Sequence, residues 1–139
     1  MEALIFSDEG KLLLHKRGKG CRDEIGKLEG IGGRFEESDE TFLSALKREI
    51  REEVGEEAQI EMTSFFEVRK DTIRDMKNNQ EQHWIIISYL CKYLRGELKI
   101  MEPHKNEGFF FVDLSTVDEK ILSSSTVSAL QSLKRKSVF

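Results

Sequence analysis

Proline and cysteine are nearly absent from this chain: its 139 residues include one proline and two cysteines. Cys21 and Cys91 stand far apart and form no CxxC pair. A disulfide framework or a cysteine zinc site therefore finds no support, and reduced thiols in a cytoplasmic compartment are the expectation. Long apolar runs are missing as well. The longest, Trp84 to Ile87 and on to Leu90, is far short of a membrane span. The opening MEALIFSDEGK has too little apolar length for a secretory signal. There is no surplus of positive charge: the formal net charge is −4, so no general basic footprint for polymeric nucleic acid or an anionic membrane exists. The basic clusters, Lys11 to Arg22 and Lys134-Arg135-Lys136, are local. Repeats, low-complexity tracts and linkers are lacking too, and the length suits one core, so a single domain over residues 1–139 is expected.

What is present is a globular composition, 38% apolar and 35% charged. Ala3 to Phe6 and Lys11 to His15 read as two short strands turning at Asp8-Glu9-Gly10. Arg17 to Lys27 reads as a loop, and LEGIGG (Leu28 to Gly33) as extended backbone whose glycines permit close approach. The spacing predicts a helix over Asp39 to Val54, capped by Ser38 or Asp39 and stopped at Gly55. Ala58 to Val68 follows as an irregular strand, Arg69 to Gln82 as a polar hairpin loop, and His83 to Tyr93 as a central strand. Phe109 to Val112 forms another strand and Ser124 to Lys134 a closing helix. Strands interleaved with two separated helices indicate an α/β or α+β sandwich, helices covering a mixed sheet.

The first helix carries an anomaly. At about 100° per residue, Phe42, Ala45, Leu46, Ile50 and Val54 share one stripe. Glu49 and Glu53 fall inside that stripe and Glu52 on its border, while Lys47 and Arg51 face away. Charge-rich helices usually just present a solvated face, but this placement does not. Carboxylates three and four apart repel by a few tenths of a kcal/mol per pair. Their place near a helix C-terminus adds about 0.3–1 kcal/mol each. Burying an unpaired carboxylate costs more still. Arg48 can neutralise one glutamate, not three. A bound divalent cation removes all these penalties, and oxygen-only ligands point to Mg²⁺ first and Mn²⁺ second.

Arg48, Glu49, Ile50, Glu52, Glu53 and Gly55, with Glu40 ahead of Arg48 across seven intervening residues, resemble the Nudix box, G-x5-E-x7-R-E-U-x-E-E-x-G-U with U apolar. The chain departs at two points: six residues rather than five separate Gly33 from Glu40, and Glu56 holds the last apolar position. KLLLHKRG ahead of the box and GELKIMEPHKNEGFFFVDL behind it are also similar to the family, the latter through Glu102, Pro103, Lys105 and Glu107. The implied fold is α/β, a Nudix-like α/β/α sandwich around a mixed β-sheet. The implied activity is Mg²⁺-dependent hydrolysis of a phosphoanhydride in a nucleoside diphosphate linked to X, a canonical or oxidised nucleoside triphosphate coming first. Nucleotide sugars and ADP-ribose are its rivals.

The resemblance implies that Glu49, Glu52 and Glu53 hold the metal and that Arg48 pairs with Glu49 and orients it. Glu40 would brace the loop–helix junction. The general base stays open among Glu49, Glu52 and Glu102. Arg17, Gly32, Gly33 and Glu102 are candidates for substrate contact, with Lys16 beside them. His15, His83 and His104 show no ligand spacing. Phe109, Phe110 and Phe111 could stack on a base, although alternation sends at least one into the core, and Trp84 reads as packing. The expected partner is a small nucleotide, with no polymeric nucleic acid or membrane, and the assembly is a monomer or homodimer. Two other classes compete. A Nudix-fold binding regulator without turnover would commonly have lost box carboxylates, which here are all present. A calcium-binding or interaction domain ranks last, because no EF-hand spacing exists.

Overall fold

The computed structural model describes residues 1–75 and 77–138. Its centre follows from strict alternation in two short strands, β1 (Glu2–Phe6) and β2 (Leu12–Arg17). Ala3, Ile5 and Leu13 point to one face, and Leu4, Leu12 and Leu14 to the other, all fully buried. A sheet that is apolar on both faces must be covered on both. The β1–β2 turn is closed by the Gly10 N–H on the Ser7 carbonyl, with Gly10 at φ 76, where a β-carbon would be strained.

Around this hairpin lie β3 (Leu28–Glu29), β4 (Ile31–Gly32), β5 (Gln59–Asp75), β6 (Gln80–Arg95) and β7 (Asn106–Val112). The strand order is β3-β2-β1-β6-β5, with β4 also pairing β1 and β7 also pairing β2. β1 runs parallel to β6, Glu2 opposite Ser88 and Ile5 opposite Cys91. The other pairings are antiparallel, so the sheet is mixed.

Two helices complete the sandwich. α1 (Phe42–Val54) sets Leu46, Ile50 and Val54 against Ala3, Ile5, Leu13 and Ile31. α2 (Ser124–Arg135) sets Ala129, Leu130 and Leu133 against Leu4, Leu12 and Leu14. Burying each such leucine contributes about 1.5–3 kcal/mol. A 3₁₀ turn at Glu119–Ile121 leads into α2, which Ser123 caps through the Thr126 N–H. Among the described residues no helix is long and apolar enough to cross a membrane.

Three expectations change. α1 begins at Phe42 rather than Asp39, because Thr41 and Ser44 form a reciprocal cap, each side chain bonding the other's N–H at 3.0 Å. Phe42 is half exposed, edge-on to Phe35 at 5.5 Å between ring centres, rather than in the core. Arg69 to Gln82 is mostly paired strand, with Lys70 opposite Ile85 and Asp75 opposite Gln80; Met76, within that stretch, lies outside the described residues. Part of the polarity of this stretch belongs to a buried charge network around Arg69 and Asp71, while Lys70, Thr72, Arg74 and Lys77 to Glu81 are exposed. Arg69 donates to Glu2, Asp71, Glu67, Ser88 and the Ser125 carbonyl.

Candidate active site

α1 ends beside β4, and this junction gathers the glutamates. Glu49 is buried, Glu53 partly buried, and the Glu52 side chain half exposed. Arg48 organises the first and third of these. Its Nη1 donates to Glu49 at 2.8 Å and to Glu52 at 3.2 Å, and its Nη2 to the Arg34 carbonyl at 2.9 Å. The same guanidinium is gripped from behind by Asp39, which accepts from Nε at 3.0 Å and from Nη2 at 2.8 Å. Glu40, expected at that junction, is exposed and makes no side-chain hydrogen bond among the described residues. The extra residue ahead of α1 has brought Asp39 into place instead.

Glu53 has a different environment. Its carboxylate accepts the Gly32 N–H at 3.1 Å, and no cationic side chain reaches it among the described residues. Burial pushes its pKa well above the usual carboxylate range. The Gly32 hydrogen bond opposes that shift, and the charges of Glu49, Glu29 and Glu102 add to it. Burial also raises Glu49, with Arg48 pulling the other way. Gly33 makes room for this cluster, since a β-carbon there would overlap the Glu49 carboxyl.

The three glutamates do not converge on one point: among the described residues no group of three His, Cys, Asp or Glu side chains encloses a metal position. Arg48 draws Glu49 and Glu52 to itself, and Gly32 holds Glu53. The donor set nevertheless fits a hard divalent cation. It is all oxygen, with the partly buried Glu53 carboxylate lacking a counter-charge among the described residues.

Alongside lies an open groove of about 950 Å³. Its walls include Gly32 and Gly33, Arg17 and Arg22, Glu29, Arg34, Phe35, Phe42 and the β6 segment from Gln82 to Ile87. Arg17 stands in this wall, but Asp23 (3.0 Å) and Glu29 already hold it. Glu102 is exposed, 3.6 Å from Lys105, in a loop packed on the Gly18–Gly20 backbone. It is near enough to influence Glu53 and lies outside the groove wall. Lys16 pairs with Glu107 at 3.5 Å.

Sequence reasoning missed Asp39, Arg34 and the placement of Trp84. A signal for Asp39 existed: counted forward from Gly33, G-x5 lands on Asp39, whereas counted backward from Arg48 the x7 spacing lands on Glu40. For Arg34 there was none, because its position against Trp84, with the guanidinium 4.8 Å from the ring centre, depends on the β5–β6 hairpin.

A mixed sheet between two helices, with a carboxylate-bearing helix end beside an open groove, defines an α/β/α sandwich whose candidate site lies at that helix end. The NUDIX domain model matches residues 2–130. The chain is similar to the MutT NUDIX hydrolase of Burkholderia pseudomallei, with 28% identity and a TM-score of 0.74, covering 95% of this chain and 94% of that one. The MutT protein of Methanosarcina mazei Go1 shares the fold at 18% identity and TM-score 0.72, covering 98% and 91%. So does the NUDIX domain of Shewanella oneidensis NrtR, solved in complex with ADP ribose, at 16% identity and TM-score 0.70, covering 97% and 84%. No curated protein matches by sequence. The chain belongs to the NUDIX family and is a Nudix hydrolase.

Proposed function

We propose that the chain is a divalent-metal-dependent pyrophosphohydrolase that cleaves a phosphoanhydride in a nucleoside diphosphate linked to X, with nucleoside triphosphates, canonical or oxidised, as the first substrate class. The observation that carries this reading is Glu53: a carboxylate in a crowded junction, with one backbone N–H and no cation among the described residues. Such a group is costly in an apo fold and useful where a cation is to be held.

In this reading Glu49, Glu52 and Glu53 hold Mg²⁺ or Mn²⁺. Bound there, the ion would screen the diphosphate's charge and acidify a water. The chain's own contribution is positional. Asp39 fixes the Arg48 guanidinium, and Arg48 aims Glu49 and Glu52. Gly33 leaves room for the Glu49 carboxyl and Gly32 for the Met1 carbonyl, so that β4 and the end of α1 pack closely. Glu49, Glu52 and Glu102 remain the carboxylates that could accept a proton from the attacking water; Glu52 and Glu102 are both about half exposed, the first beside Arg48 and the second beside Lys105.

The experiment is a nucleotide panel with Mg²⁺ and identified products, run on the parent and on Glu52→Gln and Glu53→Gln. Each substitution is expected to lower turnover by orders of magnitude without loss of thermal stability. Full activity in both variants would overturn the assignment. A second reading, ADP-ribose or nucleotide-sugar hydrolysis, is supported by the groove's size and by the ADP ribose held by the related NrtR domain; the same panel separates the two. Binding without any product would instead support a regulator.

A further inference from the structure

Three arginines line the groove, and two are already neutralised: Arg17 by Asp23 and Glu29, and Arg22 by Asp75. Carboxylates of Glu2, Asp23, Glu24 and Glu29 share the same walls. An anionic substrate entering this groove therefore meets one uncommitted guanidinium, that of Arg34, which has no carboxylate within ion-pair distance among the described residues. Arg34 follows the glycine that makes room for Glu49, and its carbonyl accepts from Arg48. Its side chain rests on the Trp84 ring, 4.8 Å from the centre. Trp84 itself is only partly buried, yet its Nε1 is buried without a hydrogen-bond partner among the described residues. Phe35 and Phe42, both about half exposed, form an apolar flank of the same groove.

A solvent-facing guanidinium over an indole is held weakly, at about 0.5–1 kcal/mol, and is readily exchanged for a better partner. We propose that Arg34 and Trp84 are the groove's substrate-recognition pair: an aromatic base stacks on the Trp84 ring, and Arg34 swings from that ring to the substrate's phosphates. The exchange replaces a cation–π contact with a base–indole stack and a charge-assisted Arg–phosphate pair, and both gains require a ligand that carries base and phosphate together. This inference rests on the nucleotide-hydrolase reading and deepens it, from any diphosphate linked to X to one whose nucleobase is read by stacking.

Trp84 is the sequence's one tryptophan, so emission excited beyond the absorption of the two tyrosines reports this site alone. The probes are a nucleoside triphosphate analogue with methylene in place of both bridging anhydride oxygens, which binds with Mg²⁺ without turnover, and inorganic tripolyphosphate. The analogue is expected to change Trp84 emission saturably. Arg34→Ala should weaken both probes about tenfold or more, as expected for loss of a charge-assisted pair. Trp84→Ala should raise KM for a nucleotide substrate about tenfold, with kcat within about threefold, and leave tripolyphosphate affinity by calorimetry unchanged. Calorimetric binding of the analogue with unaltered emission would overturn the pair, as would parental KM in both variants, while hydrolysis itself survived. A parent that hydrolyses no nucleotide would overturn the proposed function and with it the premise of the pair.

Discussion

Asp39 holds Arg48 at two points, 3.0 Å from Nε and 2.8 Å from Nη2, and Arg48 in turn touches both Glu49 and Glu52. The carboxylates of the candidate site are thus aimed by a residue that contacts neither of them. Asp39→Ala is expected to lower turnover by about 10–100-fold, the range for losing a group that orients ligands, with Asp39→Glu recovering part of it. Glu40→Ala, one residue on and exposed, should leave turnover within about twofold. Steady-state kinetics of the three variants checks this, and equal losses at Asp39 and Glu40 would contradict it.

Gly33 offers a second test. Its N–H bonds the Met1 carbonyl at 3.0 Å, and a β-carbon would run into the Glu49 carboxyl. Gly33→Ala should displace that carboxyl from Arg48 and lower activity sharply, with a small effect on stability because the end of a flexible side chain can give way. Chemical denaturation beside an activity assay measures both.

A third prediction concerns pH. Burial, helped by the Arg17 charge, lowers the His15 pKa to about 4, against an ordinary 6.5. Glu29 on β3 faces its Nε2 at 3.9 Å, and its Nδ1 has no partner among the described residues. Between these two values the unfolded chain binds a proton that the folded chain refuses, so stability is complete above about 6.5 and falls as pH drops towards 4. The upper bound on that loss is about 3 kcal/mol. His15→Leu should flatten that part of the stability–pH curve in urea titrations; an unchanged slope would contradict the assignment.

The Arg69 network supplies a fourth. Arg69 joins Glu2 on β1 to Glu67 and Asp71 on β5, all buried. Arg69→Met strands those carboxylates and should destabilise by about 3–5 kcal/mol, read by thermal and denaturant unfolding. A loss under about 1 kcal/mol would show that water already reaches the network.

Much of this architecture was legible because alternation and helical spacing leave a direct trace: Ala3, Leu4 and Ile5 announce a strand buried on both faces, and Leu46, Ile50 and Val54 a helix stripe. The intrusion of Glu49 and Glu53 into that stripe was legible for the same reason. Arg69 to Gln82 was not, because a strand whose inward residues are charged has no apolar alternation to display. The helix start was misplaced because Ser38, Asp39 and Thr41 are all capable caps, and only the reciprocal bonds of Thr41 with Ser44 decide among them. The Arg34–Trp84 contact joins residues distant in sequence, and no local pattern encodes it.

The most direct test of the central claim is thermal unfolding of the parent and Glu53→Gln, each with and without Mg²⁺ or Mn²⁺. If Glu53 is an uncompensated carboxylate that a cation relieves, the glutamine variant melts at or above the parent without metal, and the metal-induced rise seen in the parent disappears from it. A variant that melts lower without metal and keeps the parent's full metal-induced rise would contradict the account.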